Sequence, residues 1–261
     1  MSTVFVTLCD SSYFTRARQT IKDLRTRGGW NGDIVLITVD FQPDNDYLSL
    51  NNIRTVSFPR FDVTAYVEKI RAAPFSVPTN DGRELKKLAQ WEKLHAFDPY
   101  FNTWERVIWV DAGLRILDDV KYILEVDWRG RFVCPDDTYE KSHRFNAALE
   151  MVKHPAVLVE LQTKYNIALD GSYFLNCFWI YDTSIGIKVD EFLPLLEYPV
   201  WRHNEMGVMN TLIHFKKRLW EPLRLTASNG KILFAWSDLD YRKNWNQFVL
   251  IKYPVSIKFD V

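Results

Sequence analysis

The chain lacks an excess of charge of either sign: its 261 residues include 33 Lys and Arg and 33 Asp and Glu. Such a balance gives no net electrostatic attraction to nucleic acids or anionic membranes, so we expect no nucleic-acid partner. Long apolar runs are missing too, and none reaches the roughly 18 residues that a transmembrane helix needs. The first residues lead into the apolar run VFVTL without a signal-peptide pattern. We therefore expect a soluble, cytoplasmic protein.

Cysteine is also scarce. The three cysteines, Cys9, Cys134 and Cys177, are widely separated, and each lies in or beside an apolar run. An odd number of scattered thiols does not form a disulfide framework, and no Cys and His residues have the spacing of a metal cluster. The pattern favours buried, reduced thiols in a reducing compartment.

The order of apolar runs predicts an α/β fold. VFVTL and DIVLITV have the composition of short buried strands, and between them Phe14, Ala17, Ile21 and Leu24 have the spacing of one helix face. A strand, a helix and a second strand in close succession favour a parallel, right-handed βαβ unit. Further strands are predicted at 52–56, 106–110, 131–134, 172–181, 231–236 and 247–252, and helices at 63–73, 82–97, 119–124, 144–165 and 204–217.

One predicted strand ends in an acid. The run RVIWV stops at Asp111, which is followed by the small residues Ala112 and Gly113. In open α/β sheets, ligands bind outside the carboxyl ends of the strands, and small neighbours leave room for them. An aspartate that closes a turn or caps a helix is the structural alternative. Asp111 is therefore the leading candidate for a site residue.

Several segments, taken in order, resemble nucleotide-sugar glycosyltransferases of the GT-A fold, and most of all the glycogenin-like family 8 enzymes. FVTLCDSSYFTRA resembles the first strand and loop of that family, and EKLHAF resembles its Lys-Leu-His stretch. WVDAG occupies the place of the Asp-x-Asp signature, and HNEMGVMNTL resembles the Asp-Gln-Gly-x-x-Asn segment. Order and spacing agree over roughly residues 4–215.

The resemblance implies a single GT-A-like domain over residues 1–261. It would have a Rossmann-type nucleotide-binding half at about 1–115, built on a mixed central sheet flanked by helices, and an acceptor half at about 116–261. The implied activity is transfer of a sugar from a nucleoside diphosphate sugar, most of all a UDP-sugar, to an acceptor hydroxyl. A glycan, a lipid-linked precursor or a protein would be the acceptor.

The same resemblance assigns residues to this activity. Asp111, Glu205 and Lys93 would be the catalytic residues. Thr7, Asp10 and Tyr13 would hold the nucleoside, and Lys93 and Lys243 the diphosphate. The complete donor-binding set that follows from the matched segments is Thr7, Leu8, Cys9, Asp10, Tyr13, Lys93, Asp111, Ala112, Gly113 and Lys243.

The metal requirement stays open at this stage. Related enzymes commonly hold Mn²⁺ or Mg²⁺ between carboxylates and the donor diphosphate. In this chain Gly113 stands where the second Asp of Asp-x-Asp would be, and Ser237 stands where the family has a His ligand. Asp238 follows directly, so Asp111 and Asp238 are the predicted metal ligands.

Other interpretations of these residues remain. Lys93 is also consistent with a solvent-facing helix lysine, and Glu205 with an acid at a helix N-terminus, where the helix dipole favours negative charge. A sugar nucleotidyltransferase would share the strand-end acid, but LCDSSYF lacks the Gly-rich basic loop that holds a triphosphate. A non-catalytic protein that binds nucleotides or carbohydrates would tolerate the missing second Asp and the missing His.

Overall fold

The computed structural model describes residues 2–137, 144–236 and 245–252. The strands in this part are β1 Thr3–Asp10, β2 Asp33–Val39, β3 Ile53–Val56, β4 Arg106–Val110, β5 Leu114–Ile116, β6 Phe132–Cys134, β7 Phe178–Asp182, β8 Trp220–Pro222, β9 Ile232–Trp236 and β10 Phe248–Lys252. The α-helices are α1 Phe14–Thr26, α2 Asn45–Leu50, α3 Thr64–Ala72, α4 Arg83–Lys86, α5 Lys121–Leu124, α6 Pro155–Tyr165 and α7 Glu205–Met209.

Seven of the described strands form a mixed sheet in the order β3-β2-β1-β4-β7-β6-β8. β1 runs parallel to both β2 and β4, which confirms the predicted parallel βαβ opening. β7 runs antiparallel to β4, so the direction changes in the middle of the sheet. A second sheet has the order β5-β10-β9. The predicted α/β fold with a mixed central sheet is confirmed.

The core lies around β4, which occupies the centre of the large sheet. All five residues of β4 are buried. Trp109 stacks on Trp179 of β7, its register partner, with ring centroids 4.6 Å apart and planes 1° from parallel. Ala17, Ile21 and Leu24 of α1 are buried in the same core. Because β4 is buried along its length and pairs with β1 and β7, the chain at its end is held in a defined place.

The segment before β4 differs from its prediction. Instead of one helix over 82–97, α4 ends at Lys86 and a 3₁₀ helix follows from Leu88 to Phe97. Leu85, Leu88, Trp91 and Leu94 are spaced by threes, which is the period of a 3₁₀ helix. Residues 91–97 are all buried, so the segment has no solvent face of the kind that an amphipathic α-helix presents.

Two further elements depart from the sequence pattern around Asn210. The helix predicted at 204–217 is α-helical only over α7, and π-helical turns continue from Asn210 to Lys216. The strand predicted at 172–181 begins only at Phe178. The side-chain oxygen of Asn210 accepts a hydrogen bond from the Phe174 N–H, and its side-chain NH₂ donates to the carbonyls of Phe174 and Met206. These side-chain bonds compete with regular backbone pairing in both segments.

The three cysteines are buried and unpaired, as predicted. Within the described ranges, no helix has the length and apolar character needed to cross a bilayer.

The packing of β4 predicts a large cost for Ile108→Ala. Ile108 is fully buried, so the substitution leaves a cavity and should lower the free energy of unfolding by about 2–5 kcal/mol. Leu50→Ala is the matched control because Leu50 is 86% exposed, and it should change stability by less than about 0.5 kcal/mol. Urea denaturation measures both. Equal effects of the two substitutions would contradict this account of the core.

Candidate active site

A cleft of about 990 Å³ opens where the parallel strands end. Asp10 ends β1, Val39 ends β2 and Asp111 follows β4, and all three line the cleft. Lys252, the last residue of β10, lines it from the small sheet. The volume lies within the range of small-molecule sites, roughly 300–1,000 Å³. The site therefore lies where open α/β sheets bind ligands.

Most of the predicted residues meet in this cleft. Thr7 does not line it: the side chain is 1% exposed, and its hydroxyl has no hydrogen-bond partner in the described part of the chain. Lys243 and Asp238 lie outside the described residues. The predicted residues that line the cleft are Leu8, Cys9, Asp10, Tyr13, Lys93, Asp111, Ala112, Gly113 and Glu205.

Asp111 lies between two lysines. Its Oδ1 is 2.9 Å from Lys93 Nζ and accepts a hydrogen bond from the Trp109 indole, and its Oδ2 accepts one from Lys252 Nζ at 2.9 Å. Burial disfavours the charged carboxylate, but the positive charges of Lys252 and Lys93 outweigh burial and lower the pKa of Asp111 to about 2. Asp111 is therefore ionised at neutral pH.

Lys93 joins the two carboxylates of the site. Its Nζ lies 2.9 Å from Asp111 Oδ1, 2.9 Å from Glu205 Oε1 and 3.4 Å from the Asn176 carbonyl. Burial alone would lower the pKa of Lys93, but the negative charges of Asp111 and Glu205 hold it above its usual value. An ammonium group has three N–H donors, so Lys93 has an acceptor for each of them. It is an internal cation and does not face solvent.

Glu205 has one occupied and one unpaired oxygen. Oε1 contacts the Lys93 ammonium group and accepts a hydrogen bond from the Asn176 side-chain amide at 2.9 Å. Oε2 is buried without a hydrogen-bond partner among the described residues. The preceding Asn204 has φ 49° and ψ −124°, a strained conformation for a residue with a side chain. Asn204 is held there by a 2.8 Å bond from its amide to the Arg83 carbonyl. The chain thus fixes Glu205 at the cleft.

The opposite part of the cleft is formed by the turn after β1. Asp10 accepts hydrogen bonds from the Tyr13 N–H at 3.0 Å and from the Ser12 hydroxyl at 2.6 Å, which fixes the turn. Tyr13 is half-buried and lines the cleft. Burial, and then the charge of Asp10, raise the pKa of the Cys9 thiol to about 12. Cys9 is therefore a neutral packing residue and not a thiolate nucleophile.

Lys252 and His203 line the cleft but were not predicted. The signal for Lys252 was present: the run FVLIK is a buried strand that ends in a charge, as RVIWVD is. Burial, and then the positive charges of Arg83 and Arg202, lower the pKa of His203 to about 4, so its ring is neutral at pH 7. Nothing in the sequence around His203 indicates this environment.

Gly113 shows why the second acid of Asp-x-Asp is absent here. Its φ of 100° is disfavoured for any residue with a side chain, and its N–H donates a 3.0 Å hydrogen bond to the Thr20 hydroxyl of α1. Both Asp111 oxygens already contact ammonium groups. In the described ranges, no three His, Cys, Asp or Glu residues are grouped to hold a metal ion. These residues therefore do not fit a divalent metal, and the assignment of Asp238 stays a prediction.

The low pKa of Asp111 predicts a pH dependence of stability. The carboxyl group of Asp111 has a lower pKa in the folded state, about 2, than its ordinary value of 3.8. Its contribution is therefore complete above pH 4 and is lost as the pH falls toward 2, and it amounts to about 2 kcal/mol. Between pH 4 and 2, urea denaturation should show a steeper loss of stability in the wild type than in Asp111→Asn. Parallel pH curves for the two proteins would contradict the charge network.

Comparison with known proteins finds the same fold by structure but no match by sequence. No protein-family model matches the chain, and no curated protein matches its sequence. The apo structure of the WbbM bifunctional glycosyltransferase aligns with a TM-score of 0.60 and 13% identity, over 98% of this chain but 46% of that one. The chain thus spans less than half of that protein.

Two further solved structures give the same result. The galactosyltransferase LgtC, in complex with donor and acceptor sugar analogs, aligns with a TM-score of 0.59 and 11% identity, over 98% of this chain and 88% of that one. The Mn/GDP form of core-mannan synthase A from Aspergillus fumigatus aligns with a TM-score of 0.51 and 10% identity, over 85% and 73%. These proteins are GT-A glycosyltransferases. The chain has the GT-A fold, as its sequence predicted, and membership of family 8 stays a prediction.

Proposed function

We propose that the protein is a glycosyltransferase that moves a sugar from a nucleoside diphosphate sugar to an acceptor hydroxyl. The observation that carries the proposal is the cluster of Asp111, Lys93, Glu205 and Lys252 in one cleft at the carboxyl ends of the strands. The reaction builds negative charge on the leaving diphosphate and positive charge on the sugar. A cleft that holds both cations and carboxylates can stabilise both charges.

The transfer breaks the bond between the anomeric carbon and the diphosphate oxygen. The electron pair of that bond stays on the diphosphate, the acceptor oxygen bonds the anomeric carbon, and the acceptor proton ends on the released diphosphate. Positive charge near the diphosphate lowers the barrier because negative charge grows there. We assign the unpaired Oε2 of Glu205 to the reacting sugar or the acceptor hydroxyl, because either supplies the O–H donor that this buried oxygen lacks.

The nucleoside would lie over the turn after β1, near Asp10 and Tyr13. A tyrosine ring suits stacking with a base, and a carboxylate suits hydrogen bonds from ribose or base. We favour a UDP-sugar as donor and a glycan, a lipid-linked precursor or a protein as acceptor, on the resemblance of the sequence motifs. Three buried thiols are consistent with a reducing, cytoplasmic setting.

Nucleotide binding tests the donor site. The purified protein is melted with UDP, GDP, CDP or ADP and with their sugars, each with Mn²⁺, with Mg²⁺ and with a chelator. A ligand at about 100 times its Kd adds roughly 2.7 kcal/mol, which should raise the Tm by several degrees. A shift with the diphosphates of one base would identify the donor class. No shift with any nucleotide would contradict the proposal.

Donor hydrolysis tests the chemistry, because water replaces an unidentified acceptor. Asp111→Asn should lower kcat/KM for hydrolysis of the bound nucleotide sugar about 100-fold or more, since it removes the charge that holds both lysines. Asp118→Asn is the matched control, because Asp118 also pairs with a lysine, Lys231, but lies outside the cleft. The hydrolysis rate of this variant should equal that of the wild type. Binding without hydrolysis in the wild type would instead favour a non-catalytic nucleotide-binding protein.

A further inference from the structure

The two ammonium groups that contact Asp111 differ in the donors that they leave for a ligand. Lys93 has acceptors for all three of its N–H groups, and its side chain is 7% exposed. Lys252 has one acceptor in the described part of the chain, Asp111 Oδ2, and its side chain is 19% exposed. Both line the cleft. Among the described residues, two N–H donors of Lys252 therefore have no acceptor and are left for a bound molecule.

The position of Lys252 follows from strand register. β10 pairs antiparallel with β5, and Lys252 is the partner of Leu114. The end of β10 therefore lies beside the short loop from Asp111 to Gly113, where the family signature would place its second carboxylate and its metal. The contact of Lys252 with Asp111 fixes the ammonium group at this loop.

The donor set at the loop suits an anion better than a metal ion. A divalent metal needs several oxygen or imidazole ligands, but both oxygens of Asp111 already contact cations, and Gly113 supplies no side chain. An ammonium group held by one carboxylate, with further N–H donors, is a good partner for phosphate oxygens. Asp111 also keeps Lys252 from moving away when the anion is absent.

We propose that Lys252 binds the diphosphate of the donor and supplies there the positive charge that a divalent metal ion supplies in related enzymes. This inference rests on the proposed function. When the bond between the anomeric carbon and the diphosphate oxygen breaks, the electron pair goes to the diphosphate, whose growing charge Lys252 stabilises through N–H donors. In this proposal Lys93 is a positioning residue that holds Asp111 and Glu205 and does not bind the diphosphate. The site needs neither Mn²⁺ nor Mg²⁺.

Measurements of ligand binding test the role of Lys252 and the metal independence of the site without relying on catalytic activity. Calorimetry gives the Kd of UDP, or of whichever of GDP, CDP and ADP binds more tightly, and of the matching nucleoside, with chelator and with Mn²⁺. The proteins compared are the wild type, Lys252→Met, Lys252→Gln and Lys231→Met. Lys231 is the matched control because it belongs to one part-buried ion pair, with Asp118, outside the cleft. Nucleoside binding shows that each variant is folded.

The wild type should bind the diphosphate with the same Kd in chelator as in Mn²⁺. Both Lys252 variants should bind it about 10- to 100-fold more weakly, which is the usual loss for a charged hydrogen bond, and should bind the nucleoside as the wild type does. Lys231→Met should change neither Kd. Diphosphate binding that needs Mn²⁺, or that survives loss of Lys252, would overturn the inference and leave the proposed function standing. Failure of every nucleotide to bind would remove the proposed function itself.

Discussion

The ammonium group of Lys93 lies 2.9 Å from two carboxylates, Asp111 and Glu205, that come from distant parts of the chain. All three groups are largely enclosed by protein, and a buried charge without its partner costs several kcal/mol, so each requires the others. The contact joins the 3₁₀ helix before β4, the end of β4 and the start of α7. Lys93, Asp111 and Glu205 all line the cleft, so this contact fixes three of its charged groups relative to one another.

Some charged groups of this network pair with one another inside the protein, and others keep atoms that a ligand can contact. Lys93, Asp111 Oδ1 and Glu205 Oε1 neutralise one another inside the protein. In the described part of the chain, Lys252 keeps N–H donors without acceptors and Glu205 Oε2 lacks a hydrogen-bond partner, so a donor and an acceptor remain next to the internal network. The proposed nucleotide-sugar donor would be complementary to this arrangement, since its diphosphate accepts hydrogen bonds and its sugar hydroxyls donate them.

The sequence predicted what depends on local pattern. The strand that ends in Asp111 and the parallel β1 and β2 followed from apolar runs, whereas the GT-A fold was implied by the resemblance of the motifs to known glycosyltransferases. The structure confirms all three. The sequence did not predict what depends on tertiary packing: Asn210 interrupts a strand and a helix by bonding Phe174, and Lys252 reaches Asp111 through the register of β10 with β5. The 3₁₀ helix was visible as a spacing of three, but the same residues also fit a helix face loosely.

A crystal structure with the tightest-binding nucleoside diphosphate, grown with a chelator, tests the central claim most directly. The account predicts that the diphosphate lies in the cleft at the end of β4, with a phosphate oxygen about 2.7–2.9 Å from Lys252 Nζ and the nucleoside over the turn at Asp10 and Tyr13. A diphosphate bound away from Lys252, or one that enters the cleft only with a metal ion beside it, would contradict the account.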